Sequence, residues 1–280
     1  MADVVVAGRF EGRVALVTGG SRGIGLAIAH RIVAEGGRVV ITGRSAETLK
    51  EAVAELGEDR ALGVAGKADD AEHRAAAIAQ AIDRFGRLDH LVNNAGINPA
   101  YGPLAQLEVG AARKILEVNV IAALEWTRDV VAAAAEGSVA GAAEGSVAGA
   151  AAADGSGAAE AGGLRSVVNM ASTAGTASAP NIGFYGVSKA ALANLTVQLA
   201  DELAPATRVN ALAPAVIKTR LARALYEGRE QEAAEGYPLR RLGIPDDVAG
   251  PAAFLLSDDA AWVTGQTLLV DGGASVRTSL

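Results

Sequence analysis

The stretch Val14-Ala-Leu-Val-Thr-Gly19-Gly-Ser-Arg-Gly-Ile-Gly25 decides the fold. Its first five residues are apolar or β-branched without alternation, as expected of a strand covered on both faces. A glycine-rich turn follows at once, and Ile24–Glu35 then reads as an amphipathic helix. Strand, glycine turn and helix in that order form a phosphate cradle. The glycines let the backbone turn tightly and approach a pyrophosphate, while the helix N-terminus offers free N–H groups and partial positive charge. Gly19, Ser21, Arg22, Gly23, Ile24 and Gly25 are therefore candidate dinucleotide contacts. Their spacing is Gly-x-x-x-Gly-x-Gly, not the commoner Gly-x-Gly-x-x-Gly.

Outward from this turn, short β-branched runs alternate with longer amphipathic ones. Val39–Thr42, Leu88–Asn93, Ser166–Met170, Arg208–Leu212 and Thr267–Val270 read as further strands, with Ala46–Leu56, Ala71–Phe85, Ala112–Ala134 and Lys189–Leu203 as helices. Alternation of this kind implies right-handed crossovers and a parallel α/β sheet. The pattern runs unbroken to the last strand, so residues 1–280 read as a single domain. One segment interrupts it. Ala134–Gly141 repeats as Ala142–Gly149, and Ala/Gly-rich sequence continues to Gly163. Residues 134–163 read as an insertion loop, placed by the strand that follows at the edge opposite the ligand side of such a fold.

Composition narrows the function. A net charge of −7 argues against a nucleic-acid or anionic-membrane surface. Without cysteine there is no disulfide, thiolate nucleophile or thiolate metal site, and His30, His73 and His90 lack ligand-like spacing. No secretory leader or uncharged apolar run of about 18 residues stands out, so a cytoplasmic protein is expected.

The end of the second strand bears on the choice of cofactor. An acid there would grip a ribose 2′-hydroxyl, whereas a basic residue favours a 2′-phosphate. The chain has Gly43 in the acid's place, followed by Arg44 and Ser45, with Arg22 in the glycine turn. A guanidinium grips phosphate in bidentate fashion, so NADP(H) is the expected cofactor.

A second constellation joins Asn119, Ser172, Tyr185 and Lys189. Tyr185 and Lys189, four apart, share one face of a helix. A free phenol has a pKa of about 10, and a nearby ammonium is expected to lower it, making the phenol a usable general acid. Ser172 lies two residues beyond a strand end, where its hydroxyl can orient a carbonyl. Taken singly, such a pair or such a serine is commonly structural; together, behind the glycine turn, they describe catalysis.

In these residues the chain resembles the classical short-chain dehydrogenase/reductases. The resemblance spans nearly the whole chain outside the Ala/Gly insertion. Matching segments are Thr18–Gly25, Asn93-Asn-Ala-Gly96, Asn119, Ser172, Tyr185-x-x-x-Lys189, Pro214-x-x-x-x-Thr219 and Asp271-Gly-Gly273. It implies a single, doubly wound α/β domain of Rossmann type with a seven-stranded parallel sheet in the order 3-2-1-4-5-6-7. It also implies that Asn119 holds a water beside the lysine, completing a proton relay, and that Lys189 bonds the nicotinamide ribose. Asn93, Ala95 and Gly96 would line the riboses, and Ile217 and Thr219 would hold the carboxamide. Ala68 and Pro214 fall at further cofactor positions. Three positions depart from the family pattern: Lys67-Ala68 stands where an acid or amide usually meets adenine, Pro214-Ala215 replaces Pro-Gly, and Met170-Ala-Ser172-Thr173 replaces paired serines.

The segments 97–104, 173–184 and 220–237 should set substrate choice, and they are mainly apolar. Tyr237–Gly243 through Gly273 is similar to 3-oxoacyl-[acyl-carrier-protein] reductases. The resemblance thus implies NADPH-dependent reduction of a small-molecule ketone, with acyl-carrier-protein or CoA 3-oxoacyl thioesters leading; the alternatives are a broad carbonyl reductase or alcohol dehydrogenase and, from another class, a non-catalytic NADP-binding scaffold. It further implies a homotetramer or homodimer built on the two long helices and the last strand.

Overall fold

A computed structural model describes residues 8–144 and 163–276. Seven strands form one parallel sheet in the order β3-β2-β1-β4-β5-β6-β7. They are β1 (Val14–Val17), β2 (Arg38–Gly43), β3 (Ala61–Ala65), β4 (His90–Asn93), β5 (Ser166–Met170), β6 (Arg208–Pro214) and β7 (Thr267–Val270). The helices are α1 (Gly23–Ala34), α2 (Ala46–Leu56), α3 (Ala71–Phe85), α4 (Val109–Leu116), α5 (Ala122–Glu144), α6 (Gly183–Leu203), α7 (Glu230–Glu235) and α8 (Pro245–Leu256).

Strand pleating sorts the side chains into two cores. Ala15, Val17, Val39, Ile41 and Val168 face α1, α2 and α8, burying Ile28, Ile32, Leu49 and Val248. Val14, Leu16, Val40 and Val167 face α3, α5 and α6, burying Ile78, Trp126 and Leu199. Each large aliphatic side chain buried in these layers contributes roughly 1.5–3 kcal/mol. With helices on both faces, continuous apolar strands are required, as Val14–Val17 already suggested. The chain runs outward from β1 to β3, then returns to β4 beside β1. That reversal opens a crevice at the C-terminal ends of β1 and β4.

Several elements differ from the sequence reading. The strand Ala61–Ala65 and the helix Pro245–Leu256 were not anticipated from periodicity. The expected helix Ala112–Ala134 starts at Val109 and is interrupted by a π-helical turn over Glu117–Ile121. Helix α6 begins six residues before Lys189, placing Tyr185 in its first turn. The insertion is not wholly a loop: α5 continues to Glu144, so its first residues are helical. Alanine-rich sequence favours that continuation despite the interspersed glycines. The rest of the expected loop, 145–162, lies outside the described residues.

Candidate active site

The glycine turn closes β1 at the mouth of the crevice. Gly19 and Gly23 have φ of 64° and 57°, in the left-handed region that other residues enter at a cost. A Cβ on Gly20 would lie 2.7 Å from Ile41 Cγ2, and one on Gly25 would lie 2.5 Å from Asn94 Nδ2. Helix α1 starts at this turn without a side-chain cap and without an acid in its first turn. Helices α2 and α3 behave otherwise: Ser45 Oγ accepts from Thr48 N at 3.3 Å, and Asp70 caps the amides of Glu72 and His73. At α1 the N–H groups stay available, and no carboxylate competes with an incoming anion. The cradle fits a pyrophosphate.

Asn94 holds this turn in shape. Its Nδ2 donates to Thr18 O at 2.9 Å and to Gly19 O at 3.0 Å. Thr18 Oγ1 in return accepts from the amides of Asn94 and Ala95, each at 3.0 Å. Asn94 and Thr18 were quoted within motifs but not singled out as site residues. The signal available was the motif itself, which does not say which asparagine faces which way. Asn93 points elsewhere: its Nδ2 donates to Ala123 O, Thr127 Oγ1 and Asn169 Oδ1, tying β4 to α5 and β5. The Nδ2 of Asn93 is thus committed to packing these elements together.

Two of the expected phosphate ligands stand at one edge of the turn. A Cβ on Gly43 would sit 3.1 Å from Ser21 Oγ, leaving little room for an acid at that position. Arg22 and Arg44 are exposed, and neither pairs with a carboxylate among the described residues. Ser45 spends its hydroxyl on the α2 cap.

The turn continues into the second constellation through Ala95 and Gly96. A Cβ on Gly19 would lie 3.2 Å from Ala95 Cα, and one on Gly96 would lie 3.4 Å from Asn119 Oδ1 and 3.5 Å from Lys189 Nζ. Thr219 closes the other side, with its Cγ2 3.3 Å from a Cβ built on Gly23. Cradle and cluster thus share one crevice. Ile217 is buried in the core beneath it, and Pro214 O accepts from Ser172 Oγ at 3.4 Å.

Asn119 sits in the π-helical turn, a feature that recurs at functional sites. Its Oδ1 accepts from Ile97 N at 2.8 Å, and its Nδ2 donates to Ile97 O at 3.0 Å and Ser188 Oγ at 3.0 Å. Ser188 Oγ donates to Tyr185 O at 2.7 Å, so Asn119 is coupled to the helix turn that carries the tyrosine. Ser172 caps the short 3₁₀ turn Thr173–Gly175 through Ala174 N, and its side chain is near enough to the Tyr185 hydroxyl to favour the phenolate by hydrogen bonding. Lys189 is 3 % exposed; its Nζ donates to Met170 O at 2.6 Å and lies 5.5 Å from the centre of the Tyr185 ring.

The expected drop in the tyrosine pKa is not found. Burial pushes the Tyr185 phenol up to about 12, and the Ser172 hydrogen bond offsets only part of that. Burial likewise pushes Lys189 down to about 8. The ammonium lies over the ring and is held by a carbonyl, so desolvation of the phenolate outweighs its attraction.

Comparison with known proteins decides the family. The family profile described as short chain dehydrogenase matches residues 13–157, and that described as enoyl-(acyl carrier protein) reductase matches residues 139–275. The chain belongs to the short-chain dehydrogenase/reductase family. Among its relatives, Dehydrogenase/reductase SDR family member 4 of Caenorhabditis elegans is 36 % identical over 96 % of this chain and 97 % of the relative. Tropinone reductase-like 3 of Erythroxylum coca is 34 % identical over 96 % of this chain and 95 % of its own. A solved structure of a 3-ketoacyl-(acyl-carrier-protein) reductase from Brucella melitensis, complexed with NADH, superposes with a TM-score of 0.80 at 33 % identity, covering 95 % of this chain and 99 % of that one. The short-chain dehydrogenase/reductases bind a nicotinamide cofactor and act on small molecules, and this chain is an oxidoreductase of that kind. No helix among the described residues is long and apolar enough to cross a membrane.

Beside the cluster, the 97–104 and 173–184 segments meet through a Gly102 N to Asn181 O bond of 2.9 Å. They enclose, with α6, an open depression of about 520 Å³ lined by small uncharged residues such as Ala174, Thr176, Ala177, Gly183 and Ala190.

Proposed function

We propose that this member of the family reduces a ketone to a secondary alcohol with NADPH, 3-oxoacyl thioesters being the leading substrate class. The observation that carries the reading is the grouping of Ser172, Tyr185 and the buried Lys189, whose Nζ lies 5.5 Å from the centre of the Tyr185 ring, in the crevice that begins at the glycine turn. When bound, the nicotinamide supplies the hydride. Ser172 donates to the carbonyl oxygen and fixes its direction. Tyr185 then gives its proton to that oxygen as alkoxide character develops. A phenol pushed up to about 12 carries its proton throughout the physiological range, which suits a proton donor in the reductive direction. Lys189 and Asn119, meeting around Gly96, form the path by which that proton is replaced.

NADPH over NADH is supported by Gly43 and by the exposed arginines 22 and 44 at the turn's edge. Arg44→Ala is expected to raise the NADPH dissociation constant by about tenfold while leaving NADH nearly unchanged, since one charge-assisted phosphate contact is lost. Fluorescence titration of both nucleotides reads this. An equal effect on the two nucleotides, or none on NADPH, would overturn the assignment.

The uncharged depression suits an acyl chain, which favours thioesters. A broad carbonyl reductase is the second reading, favoured by the likeness to tropinone reductase-like 3 and by the same small-residue lining. NADPH oxidation with acetoacetyl thioesters, run against a panel of cyclic and aryl ketones, separates the two. Preference for the panel by a factor of ten in kcat/KM would remove the thioester reading. We also place the chain in the cytoplasm as a homotetramer or homodimer. Exposed Val109, Ile121, Leu124 and Val197 on the long helices, and Leu268 and Leu269 on the edge strand β7, are apolar faces suited to a second copy.

A further inference from the structure

The turn that follows β3 lies next to the cofactor cradle. Gly66 N donates to Gly43 O at 2.8 Å, and Gly43 in turn abuts Ser21. A dinucleotide with its pyrophosphate on the glycine turn and its nicotinamide near Tyr185 must lay its adenosine over β2 and this turn. Yet the turn carries no side-chain acceptor at positions 67 and 68. Lys67 has only donors and Ala68 has no polar side chain, so an adenine amino group can be met there only by main chain. A main-chain contact is as good as the orientation of the segment that bears it, and that orientation has to be fixed from outside the turn.

The fixing is visible behind the turn. Trp126, on α5 and 1 % exposed, donates its Nε1–H to Ala68 O at 2.9 Å. The His73 ring stands edge-on to the Trp126 ring at 5.8 Å and presses on Gly66, where a Cβ would be 2.2 Å from it. Arg74 bridges α3 to α5 on either side of Trp126, reaching Glu125 at 2.9 Å and Asp129 at 3.0 Å. Lys114 pairs with Asp69, and Asp70 caps α3. A buried indole N–H needs a partner, and here it reaches past its own helix to a turn carbonyl.

We propose that Trp126 is a positioning residue for the adenosine half of the cofactor, anchoring the Gly66–Ala68 turn from behind so that its main chain can do what a side-chain acceptor would otherwise do. His73 is the second member of this anchor, seating Gly66 against the indole. The inference rests on the nicotinamide-dinucleotide reading but not on the choice between NADPH and NADH, because adenosine is common to both.

The test compares Trp126→Phe with the wild type, using 2′,5′-ADP and 5′-AMP as adenosine probes and NMNH as the nicotinamide probe. Phe keeps the ring and removes the hydrogen bond. Both adenosine probes should bind about fivefold more weakly, the loss expected for one hydrogen bond, with NMNH unchanged and kcat at saturating NADPH within about twofold. The KM for NADPH should rise with the probes. Equal weakening of NMNH, or unchanged adenosine probes in a folded variant, overturns the proposal. If Trp126→Phe does not fold, His73→Ala is read in the same way: it frees Gly66 and removes the edge contact with the indole but keeps the Trp126–Ala68 hydrogen bond, and selective loss of the adenosine probes supports the anchor while unchanged binding removes it. A wild type that fails to prefer 2′,5′-ADP over 5′-AMP defeats the NADPH reading alone; one that binds neither defeats both.

Discussion

Tyr185→Phe is expected to lower kcat/KM by about 10³-fold or more while leaving the NADPH dissociation constant within about twofold of the wild type. The ring stays, and with it the first turn of α6, since Ser188 bonds the Tyr185 backbone carbonyl and not its hydroxyl. What disappears is the phenolic proton beside Ser172. Ser172 alone can still polarise a carbonyl, so a residual rate above background should persist. Steady-state rates and a direct nucleotide titration on the same preparation measure both quantities. A variant within tenfold of the wild type would mean that the proton comes from elsewhere.

Lys189→Met should reduce kcat/KM by about 10²–10⁴-fold, the range for loss of a positioned acid–base group. Its effect on stability has a distinct pH signature. Burial lowers the Lys189 pKa from its ordinary 10.5 to about 8 in the folded chain. Below pH 8 folded and unfolded chains both hold the proton, and the folded state bears the full cost of a buried ammonium. Between about 8 and 10.5 the unfolded chain binds more protons, so wild-type stability rises with pH across that window. Met has no such proton. The melting temperature of Lys189→Met relative to wild type should therefore be highest below pH 8 and fall steadily up to pH 10.5. The lost bond to Met170 O shifts the whole difference by a constant but not its slope. A difference independent of pH would show that Lys189 is not buried as an amine of lowered pKa.

Much of this architecture was readable before any coordinates, for local reasons. Strand β1 announced itself because both its faces are covered and every residue is apolar. The glycine turn was legible because Gly19 and Gly23 need a backbone that other residues resist. Strand β3 was not, because Ala61-Leu-Gly-Val-Ala65 has little β propensity and is placed by its pairing with β2. Helix α8 was hidden by Pro245, Gly250 and Pro251; its buried Val248, Ala252 and Leu255 against α1 outweigh those breakers. The π turn at Asn119 leaves no trace in helical periodicity. Which way Asn93 and Asn94 point depends on contacts with Thr18, Thr127 and Asn169, all remote in sequence. The pKa of Tyr185 came out opposite to expectation for the same reason: four-residue spacing shows that the ammonium is near, but not how much protein surrounds the phenol.

The bare start of α1 has one more consequence. A helix that begins without a capping side chain or a first-turn acid leaves its leading amides to be satisfied by the dinucleotide or by water. A ligand that binds only the native state adds RT ln(1 + [L]/Kd) to its stability, about 2.7 kcal/mol at a hundredfold excess over Kd. Bound nucleotide is thus expected to raise the melting temperature of the folded chain through this helix end.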